Sequence, residues 1–163
     1  MWFERDLIER INNHLNFEYK LSMANLLETA SKSGDFTVLL KAIKATELED
    51  TLNSEGSFTL VAPTDDAFAK LSVADRDALF ANIPKLKRIV LYHAVMGNVQ
   101  SDDFAEIDEA PTMEGSIIAI KRAGGEIRIN DALVTQMDIL ADNGVIHKID
   151  TVLMPAILEH EYD

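Results

Sequence analysis

The chain reads as an α+β domain, with helices gathered in its first half and antiparallel strands in its second. Three observations predict this. Helical patterns fill residues 25–91, interrupted by one short, nearly all-apolar run at 58–62. From 116 to 152 the pattern changes to short strands rich in isoleucine and valine. Hairpin signals punctuate that region, at Ala123-Gly124-Gly125-Glu126 and at Asn130-Asp131. Helices followed by strands, rather than alternating with them, point away from a doubly wound parallel sheet. With 163 residues, 47% of them apolar, the chain can form one domain with a full-sized core.

Taken in order, the elements begin with an amphipathic opening segment at residues 2–17. Phe3, Leu7, Ile8, Ile11 and Leu15 fall on one helical stripe with Trp2 beside it. Asp6 and Arg10 form an i,i+4 pair in the favourable order. Residues 1–22 are read as this helix and a connector, a natural extension or a leader. Residues 25–31 and 36–45 follow as helices, separated by Gly34 as a stop and Asp35 as a cap. A short helix at 47–52 ends at 53–56. The run 58–62 is a strand with both faces buried. Pro63 ends its pairing, Thr64 caps the next turn, and Asp65 and Asp66 place negative charge at that helix's positive end. Helices at 66–71, 73–81 (capped by Ser72) and 84–91 (with Pro84 first) come next. Strands are then expected at 91–95, 116–121, 126–129, 132–135 and 144–152. Asn143-Gly144 is a tight-turn pair and Pro155 a stop, with 156–163 as a tail.

The composition excludes several functions. No apolar run approaches the roughly 18 residues that a membrane helix needs, so no membrane span is expected. A net charge of −13 argues against nucleic acid, whose phosphates need clustered Lys and Arg. The absence of cysteine removes disulfides and thiol chemistry. No serine sits in a Gly-x-Ser-x-Gly elbow, and no glycine-rich phosphate loop is present. His14, His93, His147 and His160 make neither a His-x3-His pair nor an HExxH arrangement, so no metal site is expected. No cofactor is expected and no catalytic residue is assigned.

Three features stand out in order and spacing: the run from Phe58 through Pro63, Thr64 and Asp65 to Phe68; the dipeptide Tyr92-His93; and the run from Asn143 and Gly144 through His147 to Pro155. Together they resemble the two boxes and central Tyr-His of the fasciclin domain family. The resemblance covers residues 23–155 and leaves out the opening helix. It implies a wedge of antiparallel strands with helices packed on one side, and a non-enzymatic interaction or cell-adhesion module. It also implies a surface or matrix protein partner and an extracellular, periplasmic or cell-surface location. The first twenty residues carry charge throughout and show no signal peptide, so the sequence alone also fits the cytoplasm. In such domains the Tyr-His region and an Asp-Ile dipeptide are associated with receptor binding, which would give Tyr92, His93, Asp138 and Ile139 that role.

Each candidate also has an architectural explanation. Tyr92 and His93 can be a core-edge phenol and a hydrogen-bonded imidazole, with Thr64 or Asp65 as expected partners for His93. His147 shares a strand face with Val145 and Ile149. Asp138 can cap a turn while Ile139 enters the core. The acids Asp102, Asp103, Glu106, Asp108, Glu109 and Glu114 read as a solvated face or, alternatively, a calcium cluster without EF-hand spacing. Lys85, Lys87 and Arg88 read as a solvated helix face or a contact to an acidic neighbour. The alternative function is a carrier of an apolar ligand such as a carotenoid, with the six methionines lining a groove. A third reading is assembly, with the stripe of Phe3, Leu7, Ile8, Ile11 and Leu15 docking on a second copy.

Overall fold

A computed structural model describes residues 25–54 and 57–155. The opening helix with Trp2 and its stripe, His14, the end of the predicted 53–56 turn, His160 and the tail lie outside the described residues.

The described residues begin with three helices, α1 (Leu26–Ser33), α2 (Thr37–Ala45) and α3 (Glu49–Asn53), followed by strand β1 (Phe58–Pro63). Helices α4 (Asp65–Ala69), α5 (Val73–Ala81) and α6 (Ile83–Tyr92) follow. The rest is strand β2 (Ala94–Met96), helix α7 (Ser101–Phe104), and strands β3 (Glu109–Pro111), β4 (Ile117–Ala123), β5 (Glu126–Ile129), β6 (Ala132–Ala141) and β7 (Gly144–Ile149).

The strands form one sheet in the order β2-β1-β7-β6-β5-β4-β3. Val95 of β2 bridges Thr112, just past β3, and the Met113 N–H donates to the Ala94 carbonyl at 2.8 Å. The two ends of the sheet therefore meet, which leaves few open edges. All pairings are antiparallel except β1 with β7, which run parallel from Phe58↔Gly144 to Pro63↔Ile149. That exception departs from the all-antiparallel expectation. It puts the two boxes side by side in the middle of the sheet.

Two cores follow from the alternation of side chains along the strands. On β1, Phe58, Leu60 and Ala62 face the helices and join Leu39, Ile43, Leu52, Phe68 and Ile89. Val61 faces the other way, toward Phe104, Ile118, Ile120, Ile129 and Ile149. Every residue of β1 is buried, as its apolar run predicts.

Local signals fix most boundaries. Asn25, Thr64, Ser72 and Asn82 cap helices with their side chains, and Gly34 ends α1 with φ +77°. Gly124 and Gly125, with φ +59° and +80°, make the β4–β5 hairpin turn. Four boundaries differ from expectation. Glu47 has φ +58°, outside the helical region, so α3 starts two residues later. Leu91 and Tyr92 continue α6, leaving β2 only 94–96. Strand β6 runs on to Ala141 through register irregularities near Gln136 and Ile139. The turn before β7 falls at 142–143, with Gly144 already in the strand. A Cβ on Gly144 would lie 1.9 Å from the Phe58 carbonyl oxygen. The glycine is needed for close approach of the parallel strands, not for the turn.

Candidate functional site

The first box ties two helices to the sheet. The Thr64 hydroxyl accepts from the Ala67 N–H at 3.2 Å and starts α4. Asp65 reaches across to α2: its carboxylate accepts from the Val38 N–H at 2.8 Å and the Thr37 hydroxyl at 2.6 Å. Asp65, and not the expected Asp35, therefore caps α2. A carboxylate at a helix's positive end is stabilised by the unpaired N–H groups there. Asp35 instead pairs with Lys148 of β7, which holds its carboxyl below the usual range, and its carbonyl accepts from the Asp65 N–H at 2.8 Å.

The second box does matching work. The Asn143 side chain accepts from the Leu26 N–H at 2.9 Å and donates to the Leu52 carbonyl at 2.7 Å, while its own carbonyl accepts from the Phe58 N–H at 3.0 Å. One asparagine thus links α1, α3 and β1. Where the boxes meet, Gly34, Asp35, Thr64, Asp65, Asp66, Thr135, Lys148 and Asp150 line a polar cleft of about 450 Å³. The Lys148 ammonium lies 5.8 Å from the centre of the Phe36 ring. Pro155, the expected stop, is buried at the end of the described chain.

Tyr92 and His93 close α6 and are both buried, at 5% and 1% exposure. The Tyr92 hydroxyl donates to the Ile117 carbonyl at 3.2 Å and accepts from the Asn130 amide at 3.0 Å. His93 Nε2 accepts from the Leu153 N–H at 2.9 Å. That bond requires the proton on Nδ1, which donates to the Ile89 carbonyl at 2.7 Å. The partners are backbone groups of α6 and of the segment after β7, not Thr64 or Asp65. Burial lowers the His93 pKa to about 4, against the opposing pull of the Ile89 carbonyl.

His147 is buried on β7 and contacts the Phe104 ring edge-on, at 4.8 Å between centroids. Its Nδ1 accepts from the Asp138 N–H at 3.2 Å, so Nε2 carries the proton and donates to the Val99 carbonyl at 2.7 Å. Burial lowers its pKa as well. Asp138 sits in β6 with φ +59°, and its carboxylate accepts from the N–H and the hydroxyl of Ser101. Partial desolvation pushes the Asp138 pKa up, but the two Ser101 bonds outweigh it and hold the group low. Ile139 is half-buried against the helix-side core, and Leu140 is 54% exposed. Asp138 therefore caps α7 from within a bulged strand, where a turn was expected.

Sequence reading passes over Ser101, Thr59 and Arg122, which hold the segment between β2 and β4. Thr59 donates to the Gly97 carbonyl and accepts from the Val99 N–H, both at 2.8 Å. Arg122 donates to the Phe104 carbonyl at 2.8 Å, to the Ile107 carbonyl and to Asp108. The pairing of Asp108 and the Asp103 bond to the Gln100 N–H at 3.0 Å disperse the acidic stretch. Among the described residues no group of three or more His, Cys, Asp or Glu is placed to hold a metal ion. Lys85 is buried rather than solvated, and Arg88 meets Glu114 of the same chain at 3.7 Å. The described methionines do not share a groove: Met113 and Met154 pack on the helix-side core, Met137 on the strand core, and Met96 is exposed.

The family model of the fasciclin domain matches residues 34–155. This chain belongs to the fasciclin domain family. Among curated relatives it is 42% identical over 132 residues to the uncharacterized protein sll1735 of Synechocystis, covering 81% of this chain and 98% of that one. It is 31% identical to the transforming growth factor-beta-induced protein ig-h3 of Sus scrofa, covering 82% of this chain and 20% of that one. A solved fasciclin domain pair from the insect cell adhesion molecule fasciclin I superposes with a TM-score of 0.71 at 22% identity, over 81% of this chain and 51% of that one. In this fasciclin domain the two boxes and the Tyr-His dipeptide are thus the places where helices, sheet and strand ends are tied together.

Proposed function

We propose that this fasciclin domain is a non-enzymatic interaction module that engages a protein of a surface or matrix. One observation carries the reading. Among the described residues, the phenol and imidazoles of Tyr92, His93 and His147 have their polar atoms committed to internal partners, backbone groups and the Asn130 amide, inside the fold. A general base or nucleophile needs a lone pair or proton facing a substrate, and these face the protein's own groups. What remains for function is the outer surface. Family membership supports the same conclusion, as does the fold shared with an insect cell adhesion molecule. Fold alone does not fix function, so the partner is named only by class. Among the described residues no helix is long and apolar enough to cross a membrane. A location outside the cell or at its surface is part of the proposal and rests on the likeness to a cell adhesion molecule.

Within this reading Tyr92 and His93 act by setting shape. Asp138 and Ile139 place the neighbouring Leu140 outward, where it offers an apolar contact beside a carboxylate. The test is binding of the immobilised chain to cells and to matrix proteins. Leu140→Glu should abolish binding without moving the melting temperature, and Tyr92→Phe should lower the melting temperature in step with any loss of binding. Unchanged binding by Leu140→Glu, or no binding by the wild type to either material, would overturn the assignment.

A further inference from the structure

The segment between β2 and β4 crosses the strand core as a strap. Its ends are anchored independently: Thr59 holds Gly97 and Val99, and Arg122 holds Phe104, Ile107 and Asp108. The first turn of α7 lies between these anchors, and its last residue, Phe104, is 1% exposed and sits on the His147 ring. Among the described residues, two elements fasten the middle of the strap with side-chain hydrogen bonds. His147 of β7 donates to the Val99 carbonyl, and Asp138 of β6 accepts twice from Ser101.

We infer that His147, Asp138 and Ser101 form a proton-operated latch, which releases the strap over the strand core when His147 takes up a second proton. The fastening works only with a neutral ring. Nδ1 must be an acceptor, because the Asp138 N–H points at it from 3.2 Å. A proton added there would set two donors face to face. The ring can satisfy that new N–H only by drawing on an acceptor nearby. The neighbourhood supplies one. On β1 the paired residue is Val61, which is apolar. On α7 the contact is the Phe104 ring, and the strap presents the Val99 carbonyl, already bonded to Nε2. Asp103 of α7 is committed to the Gln100 N–H, and Arg122 to the far end of the strap. The Asp138 carboxylate is the charged group that faces the ring, and its charge already favours the protonated form.

Acidification therefore moves the Asp138 carboxylate from Ser101 to the imidazolium. Asp138 has φ +59° and lies at an irregularity of the β6–β7 ladder, so its backbone stands outside the regular pairing there. Ser101 then loses both acceptors, and α7 loses the carboxylate at its first turn. The strap loosens between its Thr59 and Arg122 anchors, and the first turn of α7 at Ser101 lifts from β6.

The experiment is amide exchange by NMR on the full chain from pH 7 to pH 5, alongside nitrogen spectra of the two buried imidazoles. At pH 7 the His147 ring should show the proton on Nε2. On acidification the protection factor of the Ser101 amide should fall at least tenfold, with the midpoint of the His147 titration, while amides of β7 and β1 keep theirs. The Leu153 amide reports His93 separately. His147→Gln keeps a donor and an acceptor but cannot titrate, so its Ser101 protection should not vary with pH. Should that variant fail to fold, Asp138→Asn serves: Ser101 remains bonded, and the acid-induced fall should shrink to less than threefold. The latch is refuted if His147 titrates only as the whole chain unfolds. It is equally refuted if Ser101 protection is flat through the ring's titration.

Discussion

Lowering the pH from 7 to 5 should destabilise this domain through His93, and the size of the effect can be worked from its surroundings. The imidazole is buried and neutral, with Nδ1–H on the Ile89 carbonyl and Nε2 accepting from Leu153. Its pKa is about 4 in the fold against 6.5 for the free side chain. The unfolded chain therefore takes up a proton below pH 6.5 that the folded chain refuses until about pH 4. Stability is full above the upper value and is lost as the pH falls through this window. At about 1.4 kcal/mol per pKa unit, the complete loss is about 3 kcal/mol, and about 2 kcal/mol of it has occurred by pH 5. His147 is shifted in the same direction and adds to the loss. Asp35, Asp138 and Asp150 are all held below their ordinary value of 3.8, so the stability they contribute is lost only at lower pH, beneath the histidine window. The assay is urea unfolding followed by circular dichroism at pH 7, 6 and 5, on the wild type and His93→Gln. The variant should be less stable at pH 7, and its loss between pH 7 and 5 should be smaller by about 2 kcal/mol. An identical pH dependence in both proteins would refute the reasoning, because it would mean that His93 takes up its proton equally in both states.

Other perturbations test the frame. Phe68→Ala removes a side chain that is 2% exposed in the helix-side core and should cost about 3–5 kcal/mol; a loss below about 1 kcal/mol would place Phe68 outside the core. Gly144→Ala drives a methyl group into the Phe58 carbonyl, so β1 and β7 must part. The cost should be at least the ~3 kcal/mol at the upper end for overpacking, and a melting temperature within a few degrees of wild type would contradict the close approach. A chain starting at Met23 lacks the predicted stripe of Phe3, Leu7, Ile8, Ile11 and Leu15. The full chain should sediment as an assembly and the shortened one as a monomer, and equal sedimentation with equal melting would end the self-association reading.

The α+β class, the two boxes, the helix caps at Thr64 and Ser72, and the hairpin at Gly124-Gly125 were all legible in the sequence. Each depends on neighbours a few residues apart: a hydroxyl and the third amide after it, a proline and the ladder it stops, two glycines and one turn. Burial of Phe58, Leu60, Ala62, Val145, Ile146 and Ile149 was legible for a related reason, since apolar runs of strand length have nowhere else to go. Tertiary structure decided what those residues touch. Asp65 reads locally as the second residue of a helix start, yet its carboxylate serves α2, 27 residues back in the chain. Asn143-Gly144 reads as a turn, yet the asparagine binds α1 and α3, and the glycine lets a parallel neighbour come close. Tyr92 reads as strand because it is aromatic and apolar neighbours surround it, but packing continues α6 through it. The imidazoles of His93 and His147 are assigned their protons by backbone amides 60 and 9 residues away. A side chain's composition sets which bonds it can make; only the parallel pairing of β1 with β7 and the closure of the sheet determine which partners come within reach.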